Sequence, residues 1–329
     1  MHKSLPENPE NLGDFRPLGR GISATDEGLR VDVYLARNFR FLSRAAWQKR
    51  LDEGLVRLDG RAIGAAQRIR EGQLLDLFYP PAVEPEVDRG IYPIWRKGAV
   101  MAVFKPAPLP MHENGLYRKN TFATLLQEEL GPEWAAVHRL DRETSGIVLC
   151  AATYEARRAL AISLASRTLE KEYLAIAHGQ CQERFWIASG PIGDLAASEI
   201  RIKKWVVPEG LPSETHFHVL DQKADHVLLK AHPKTGRTNQ IRIHAAHAGH
   251  HLVGDRLFYP DEQVFLEWYV QGLTDEVVRR TGHRRCLLHA HALSFVHPED
   301  QKTYEVRCPL PEDMEQFWSQ LSRGTSAAL

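Results

Sequence analysis

A chain of 329 residues, 43% hydrophobic and 26% charged, is long enough for about two domains and apolar enough for a packed core, which excludes a mainly disordered protein. No run approaches the roughly 18 consecutive apolar residues of a membrane span, and residues 1–16 are polar, so neither a membrane protein nor an exported one is expected. Forty-two basic residues balance 42 acidic ones, which argues against a surface that binds polyanions everywhere and leaves room for a local basic face.

The four cysteines, at 150, 181, 286 and 308, fit neither a disulfide scaffold nor a paired-cysteine zinc site, so a reducing cytoplasm is the expected location. Residues 1–24 lack any apolar period and read as a flexible tail with at most a few docked residues. A compact module is predicted over 25–80. Val31, Tyr34 and Leu35 mark one helix; Ala46, Trp47, Arg50 and Leu51 mark a second, which Ser43 can cap and Gly54 can end. Short strands follow at 55–58 and 73–78, with a turn at Asp59-Gly60.

Between Gly28 and Pro80 ten basic residues face six acidic ones, a modest phosphate-binding signal that a solvated helix face would explain equally well. The run VDVYLARNFRFLSRAAWQKRLDEGLVRLDGRAI, followed by REGQLLDL, resembles the small RNA-binding module of a ribosomal small-subunit protein and of some tRNA synthetases. That resemblance implies that Ser43, Arg44, Lys49 and Arg50 face RNA.

Prolines 80, 81 and 85 among acids suggest a stiff linker over 81–90. From 91 to 318 the apolar runs are short and strand-like (99–104, 146–152, 173–177, 226–231, 288–295, 304–306), with a helix at 156–165. Such runs predict a mixed or antiparallel sheet and an α+β domain, with a C-terminal tail over 319–329.

No phosphate-cradling GxxxxGK run, dinucleotide glycine fingerprint or HExxH motif occurs, so no nucleotide cofactor is expected. Chemistry concentrates in three segments. In HRLDRETSGIVL two arginines flank Asp141, which should keep its carboxylate ionised at a loop–strand junction, although an aspartate capping a turn has the same local pattern. In LEKEYLAIAHG, Tyr173 shares a strand face with Ala175 and Ala177, leaving room to stack on its ring; a core tyrosine is the plainer alternative. In KTGRTNQIRIH, Thr238 is a candidate cap for a helix ending at Gly249, with Arg237 near its N-terminus and Arg242 one turn inside. His244, His247, His250 and His251 lack companion ligands, so no metal is expected.

Taken in order, and with KPAPLPMH, GDRLFYP and LLHAHALSFVHP, these motifs closely resemble the RluA-like pseudouridine synthases from about residue 91 to 314. The resemblance implies an isomerase of uridine in structured RNA, ribosomal or transfer, acting without cofactor and as a monomer. It implies Asp141 as the catalytic aspartate, Tyr173 as the tyrosine stacked on uracil, and Arg242 as the aspartate's basic partner. It further implies that Arg139 fills the gap left by the flipped nucleotide, with Arg237 a further RNA contact. Asn239 departs from the histidine usual in that family. The alternatives are a catalytically silent RNA-binding or chaperone protein of the same fold, and a glycoside hydrolase, for which Glu143 is the one nearby second carboxylate.

Overall fold

The computed structural model describes residues 17–39, 43–78, 84–200 and 202–321. The chain divides into two compact units at 83/84, each taken by itself below.

The first unit comprises β1 (Pro17–Gly21), α1 (Val31–Asn38), α2 (Arg44–Asp52), β2 (Val56–Leu58), β3 (Arg61–Ala62) and β4 (Leu74–Phe78). Its sheet has the order β1-β4-β2-β3, antiparallel throughout. The apolar stripe of α1 closes over Trp47 and Leu51 of α2 and over Val56, Leu75 and Leu77 of the sheet. Ser43 accepts a hydrogen bond from the Ala46 amide at 3.2 Å, which satisfies one of the free N–H groups at the start of α2. Asp59 and Gly60 both adopt positive φ (50° and 75°), the geometry of a two-residue hairpin turn. The expected tail over 1–24 is corrected from residue 17 onward. Pro17–Gly21 pair with β4 along their whole length and Ile22 is buried, so backbone pairing orders a segment that has no side-chain period of its own. Residues 1–16 lie outside the described residues.

The second unit contains β5 (Tyr92–Lys97), β6 (Val100–Lys105), α3 (Phe122–Leu130), β7 (Ala135–Ala136), β8 (Ser145–Ala151), α4 (Tyr154–Ala165), β9 (Glu170–His178), β10 (Phe185–Ser189), β11 (Ile192–Asp194) and β12 (Lys204–Val206). It continues through β13 (Glu214–Lys223), β14 (His226–Pro233), α5 (Gln240–His247), α6 (Gln263–Gln271), α7 (Asp275–Thr281), β15 (Leu288–Val296), β16 (Thr303–Arg307) and α8 (Glu312–Gln320). A ten-stranded sheet runs β10-β13-β14-β9-β15-β8-β6-β5, with β16 on β15 and β7 on β8. Every pairing in it is antiparallel except β15 with β8, so the sheet is mixed.

Central strand β8 is buried at all seven positions because both faces of the sheet are covered. Val148 and Cys150 meet Phe122 and Leu125 of α3 on one face, while Ile147 and Leu149 meet Ala156 and Leu160 of α4 on the other. The strands found in the sequence are present, those expected at 99–104 and 146–152 shifted by one residue and the others with longer ends. Strand β13 was not anticipated: its apolar residues Phe217 and Val219 alternate with histidines and acids instead of forming a run.

Two boundary expectations change. Within the expected linker 81–90, residues 81–83 lie outside the described residues, but Glu84 is fastened: its Oε1 accepts from the amides of Arg118, Lys119 and Asn120 at 2.7, 2.9 and 2.5 Å. At the C-terminus α8 continues through Gln320, two residues into the expected tail, and residues 322–329 lie outside the described residues.

Candidate active site

Asp141 sits in the loop that feeds β8. Two devices hold that loop. At its far end Gly146, with φ 115°, lies against the backbone of Ala290 where β8 and β15 run parallel; any side chain at 146 would collide with that backbone. At its near end the fully buried Lys105 extends its ammonium to the carbonyls of Pro106, Leu109 and Arg142, at 2.9, 2.8 and 3.3 Å. Burial pulls Lys105 down to about 7 despite the nearby charges of Glu143 and Asp141. His138, in the same loop, accepts the Leu149 amide at 3.1 Å and is pulled down to about 3 by burial, so its imidazole is neutral.

The carboxylate of Asp141 receives no hydrogen bond from the described residues. Its ion-pair contact is Arg242 Nη1, 3.8 Å from Oδ2. Burial raises its pKa above the ordinary aspartate value, opposed by the charges of Arg242 and Arg139. The expectation that two flanking arginines hold it therefore needs correction. Arg142 turns away, onto Glu143 at 2.7 Å and the Tyr117 hydroxyl at 3.3 Å. Glu143 is saturated by Arg142 and by Arg256 at 2.8 Å, and these arginines hold its pKa below the ordinary glutamate value against burial. It is therefore a poor candidate for the second carboxylate of a hydrolase.

Arg242 projects from α5 and is almost fully buried. Its fork is committed to Asp255, with Nε and Nη2 each at 2.7 Å, and its Nη1 donates to Asn239 Oδ1 at 2.9 Å. Asp255 Oδ1 also accepts the amides of Leu257 and Phe258 at 3.0 and 3.1 Å. These bonds hold the Asp255 carboxyl below its usual range despite burial. Thr238 is not the cap of α5; that position belongs to Asn239, whose φ of 57° is one that asparagine tolerates well. The residue that departs from the family pattern thus shapes the entry of α5 and steadies Arg242.

Tyr173 lies on β9 between Ala231 of β14 and Ala290 of β15, so small residues flank its ring across both strands as well as along its own. Burial and the Asp141 charge push its phenol well above the usual tyrosine range.

These groups border a cleft of about 1020 Å³ that holds Asp141, Tyr173, Arg242, Arg139 and Arg237 together. Six cations line it (Arg139, Arg167, Lys171, Lys234, Arg237, Arg242) against the two acids Asp141 and Glu170. Balanced overall, the chain is strongly basic at this cleft. Ser43, Arg44, Lys49 and Arg50 belong instead to the first unit. There Ser43 caps α2, Arg44 pairs with the buried Asp32 at 2.9 Å, Lys49 is exposed and Arg50 half-buried. The four histidines diverge: His244 bonds Thr215 and Ser213, His247 meets the edge of Trp205, His250 contacts Cys181 and the His178 carbonyl, and His251 stacks on His178. Reasoning from sequence missed Lys105 and the pairing of Asp255 with Arg242, although KPAPLPMH and GDRLFYP were both visible as motifs.

Residues 99–247 match the family model described as RNA pseudouridylate synthase. A relative from Chloroflexus aurantiacus, an uncharacterized RNA pseudouridine synthase, is 32% identical over 91% of this chain and 92% of its own length. The chain belongs to the RNA pseudouridine synthases. Within them it is of the RluA-like type: ribosomal large subunit pseudouridine synthase C of Yersinia pestis is 30% identical over 89% of this chain and 92% of its own. Among solved structures, human RNA pseudouridylate synthase domain containing 1 shares the fold with a TM-score of 0.56, at 23% identity over 71% of this chain and 90% of that one. This pseudouridine synthase is an isomerase with an α+β catalytic fold. No helix among its described residues is long and apolar enough to cross a membrane.

Proposed function

We propose that the enzyme isomerises a uridine of large-subunit ribosomal RNA, with Asp141 as the group that reacts at the ribose. The observation that carries this reading is the position of Asp141: a carboxylate with no hydrogen bond from the described residues, bordering a cleft lined by six cations. Extruding a uridine from its stack costs a few kcal/mol, which the Tyr173 face and the basic lining offset. Asp141 then attacks or deprotonates the ribose, the C1′–N1 bond breaks, and the base turns and rejoins through C5, whose proton must leave. Because its phenol keeps its proton at neutral pH, Tyr173 acts first as a stacking face. It takes part in C5 deprotonation only as a relay, accepting one proton as it gives up its own. Arg242, fixed by Asp255, supplies positive charge beside the reacting carboxylate without competing for its lone pairs.

The choice of ribosomal over transfer RNA follows the relatives named ribosomal large subunit pseudouridine synthase C and D. The first unit, with Arg44, Lys49 and Arg50 on α2 and Ser43 at its start, acts as an added RNA-binding module, and the enzyme works as a cytoplasmic monomer. RNA tritiated at uridine C5 tests the reading: wild-type enzyme releases label to water and Asp141→Ala releases none. Full release by Asp141→Ala sinks it, and mapping of pseudouridine in cells with and without the gene identifies the target.

A further inference from the structure

A second cleft, of about 670 Å³, opens from the same carboxylate. It shares Arg139, Asp141, Asn239 and Arg242 with the first, but its chemistry differs. Four arginines here face four carboxylates, and the pairs that Glu143 makes with Arg142 and Arg256, and Asp255 with Arg242, cancel most of that charge. Much of the remaining wall is apolar and open, with His112, Asn114, Thr238 and Asn239 as its polar members. Leu116, Ile202 and Tyr269 are 55%, 69% and 66% exposed. The ring of Tyr269 lies nearly parallel to that of Phe265, with centroids 6.4 Å apart, and the neighbouring Trp268 lies under the guanidinium groups of Arg142 and Arg256 at 5.5 and 4.9 Å.

A neutral wall offers a phosphate little, whereas a base removed from its stack gains an aromatic face and apolar cover. Extruding one nucleotide also unstacks its neighbours, and a neighbouring base then lies within reach of a cleft that starts at the reacting carboxylate. We propose that this second cleft is a subsite for one base adjacent to the target uridine, laid against Tyr269, Leu116 and Ile202. The inference rests on the reading of Asp141 as the point of reaction. Since every base has a π-face, the subsite adds affinity and fixes geometry more than it selects sequence.

The test uses C5-tritiated RNA from cells lacking the gene. Tyr269→Ala raises KM about 10-fold, within the range expected for one lost stacking partner, and leaves kcat within about twofold. Tyr269→Phe restores KM. Irradiating the Asp141→Asn protein on the same RNA leaves a nucleotide adduct on the peptide containing residues 263–271. Unchanged KM for Tyr269→Ala together with no adduct overturns the subsite. So does a normal KM in a Tyr269→Ala protein that has shifted from dimer to monomer, which would make the patch a contact between copies. Absence of tritium release from wild-type enzyme would instead defeat the reading of Asp141; the adduct needs no turnover, so the two failures are distinguishable.

Discussion

The loop before β8 and the loop before α6 each bring a carboxylate to the same guanidinium, and they treat it in opposite ways. Asp255 accepts two bonds from Arg242 and two from backbone amides, and its pKa is lowered. Asp141 stands 3.8 Å from the remaining nitrogen of that group, and burial raises its pKa. A saturated buried carboxylate is structural; one left with spare lone pairs stays reactive at a cost to the fold. The difference between these loops, more than the presence of an aspartate, is what supports the proposal that Asp141 and not Asp255 reacts.

The sharpest way to break this comparison is to neutralise each carboxylate separately. Asp141→Asn should lower tritium release by at least about 10⁴-fold, a barrier increase of about 5.5 kcal/mol, without lowering Tm. Asp255→Ala should strand the buried Arg242 charge and cost about 3–5 kcal/mol of stability, seen as a Tm lower by roughly 6–20 °C. If the two variants exchange these outcomes, the assignment is reversed.

Acidity separates the loops in a second way. The folded pKa of Asp255 is depressed, so its contribution to stability is present above the ordinary carboxylate value of about 3.9 and is lost as pH falls below it. The folded pKa of Asp141 is raised, so its contribution is present below that value and is lost as pH rises through the raised one. The acid limb of kcat/KM should therefore lie above about 3.9, in a range where Tm is still high; a limb that coincides with acid unfolding would remove the distinction.

Smaller effects come from outside both loops. Lys234→Ala or Arg237→Ala, at the basic cleft, should weaken RNA binding and reduce the slope of log affinity against log salt by about 1 each, read by anisotropy titration. Ser43→Ala should cost the first unit about 1 kcal/mol through the lost cap and leave kcat of the second unaltered.

What the sequence displayed and what it hid follow a physical line. Local devices were legible: the Ser43 cap, the Asp59-Gly60 turn and the placing of Tyr173, Ala175 and Ala177 on one face of β9, opposite Ile176, are each decided within a few residues. Motif order singled out Asp141, Tyr173 and Arg242 as candidates, and the three line one cleft. Pairings across distance were not legible. Lys105 ends a strand and reads as a surface cation until the fold brings three carbonyls around it. Arg142 neighbours Asp141 in sequence, yet it turns onto the adjacent Glu143 and onto the distant Tyr117 hydroxyl. The error at Thr238 was one residue wide, because a left-handed Asn239 delays the start of α5.

Six cations gather in one cleft of a chain whose formal charges cancel, so the cleft's pull on nucleic acid is local. Seen from several screening lengths away it exerts little pull on nucleic acid, so encounter gains little from long-range steering. The cleft's attraction therefore grows mainly over the last few ångströms, which disfavours idle residence there on the bulk of cellular RNA.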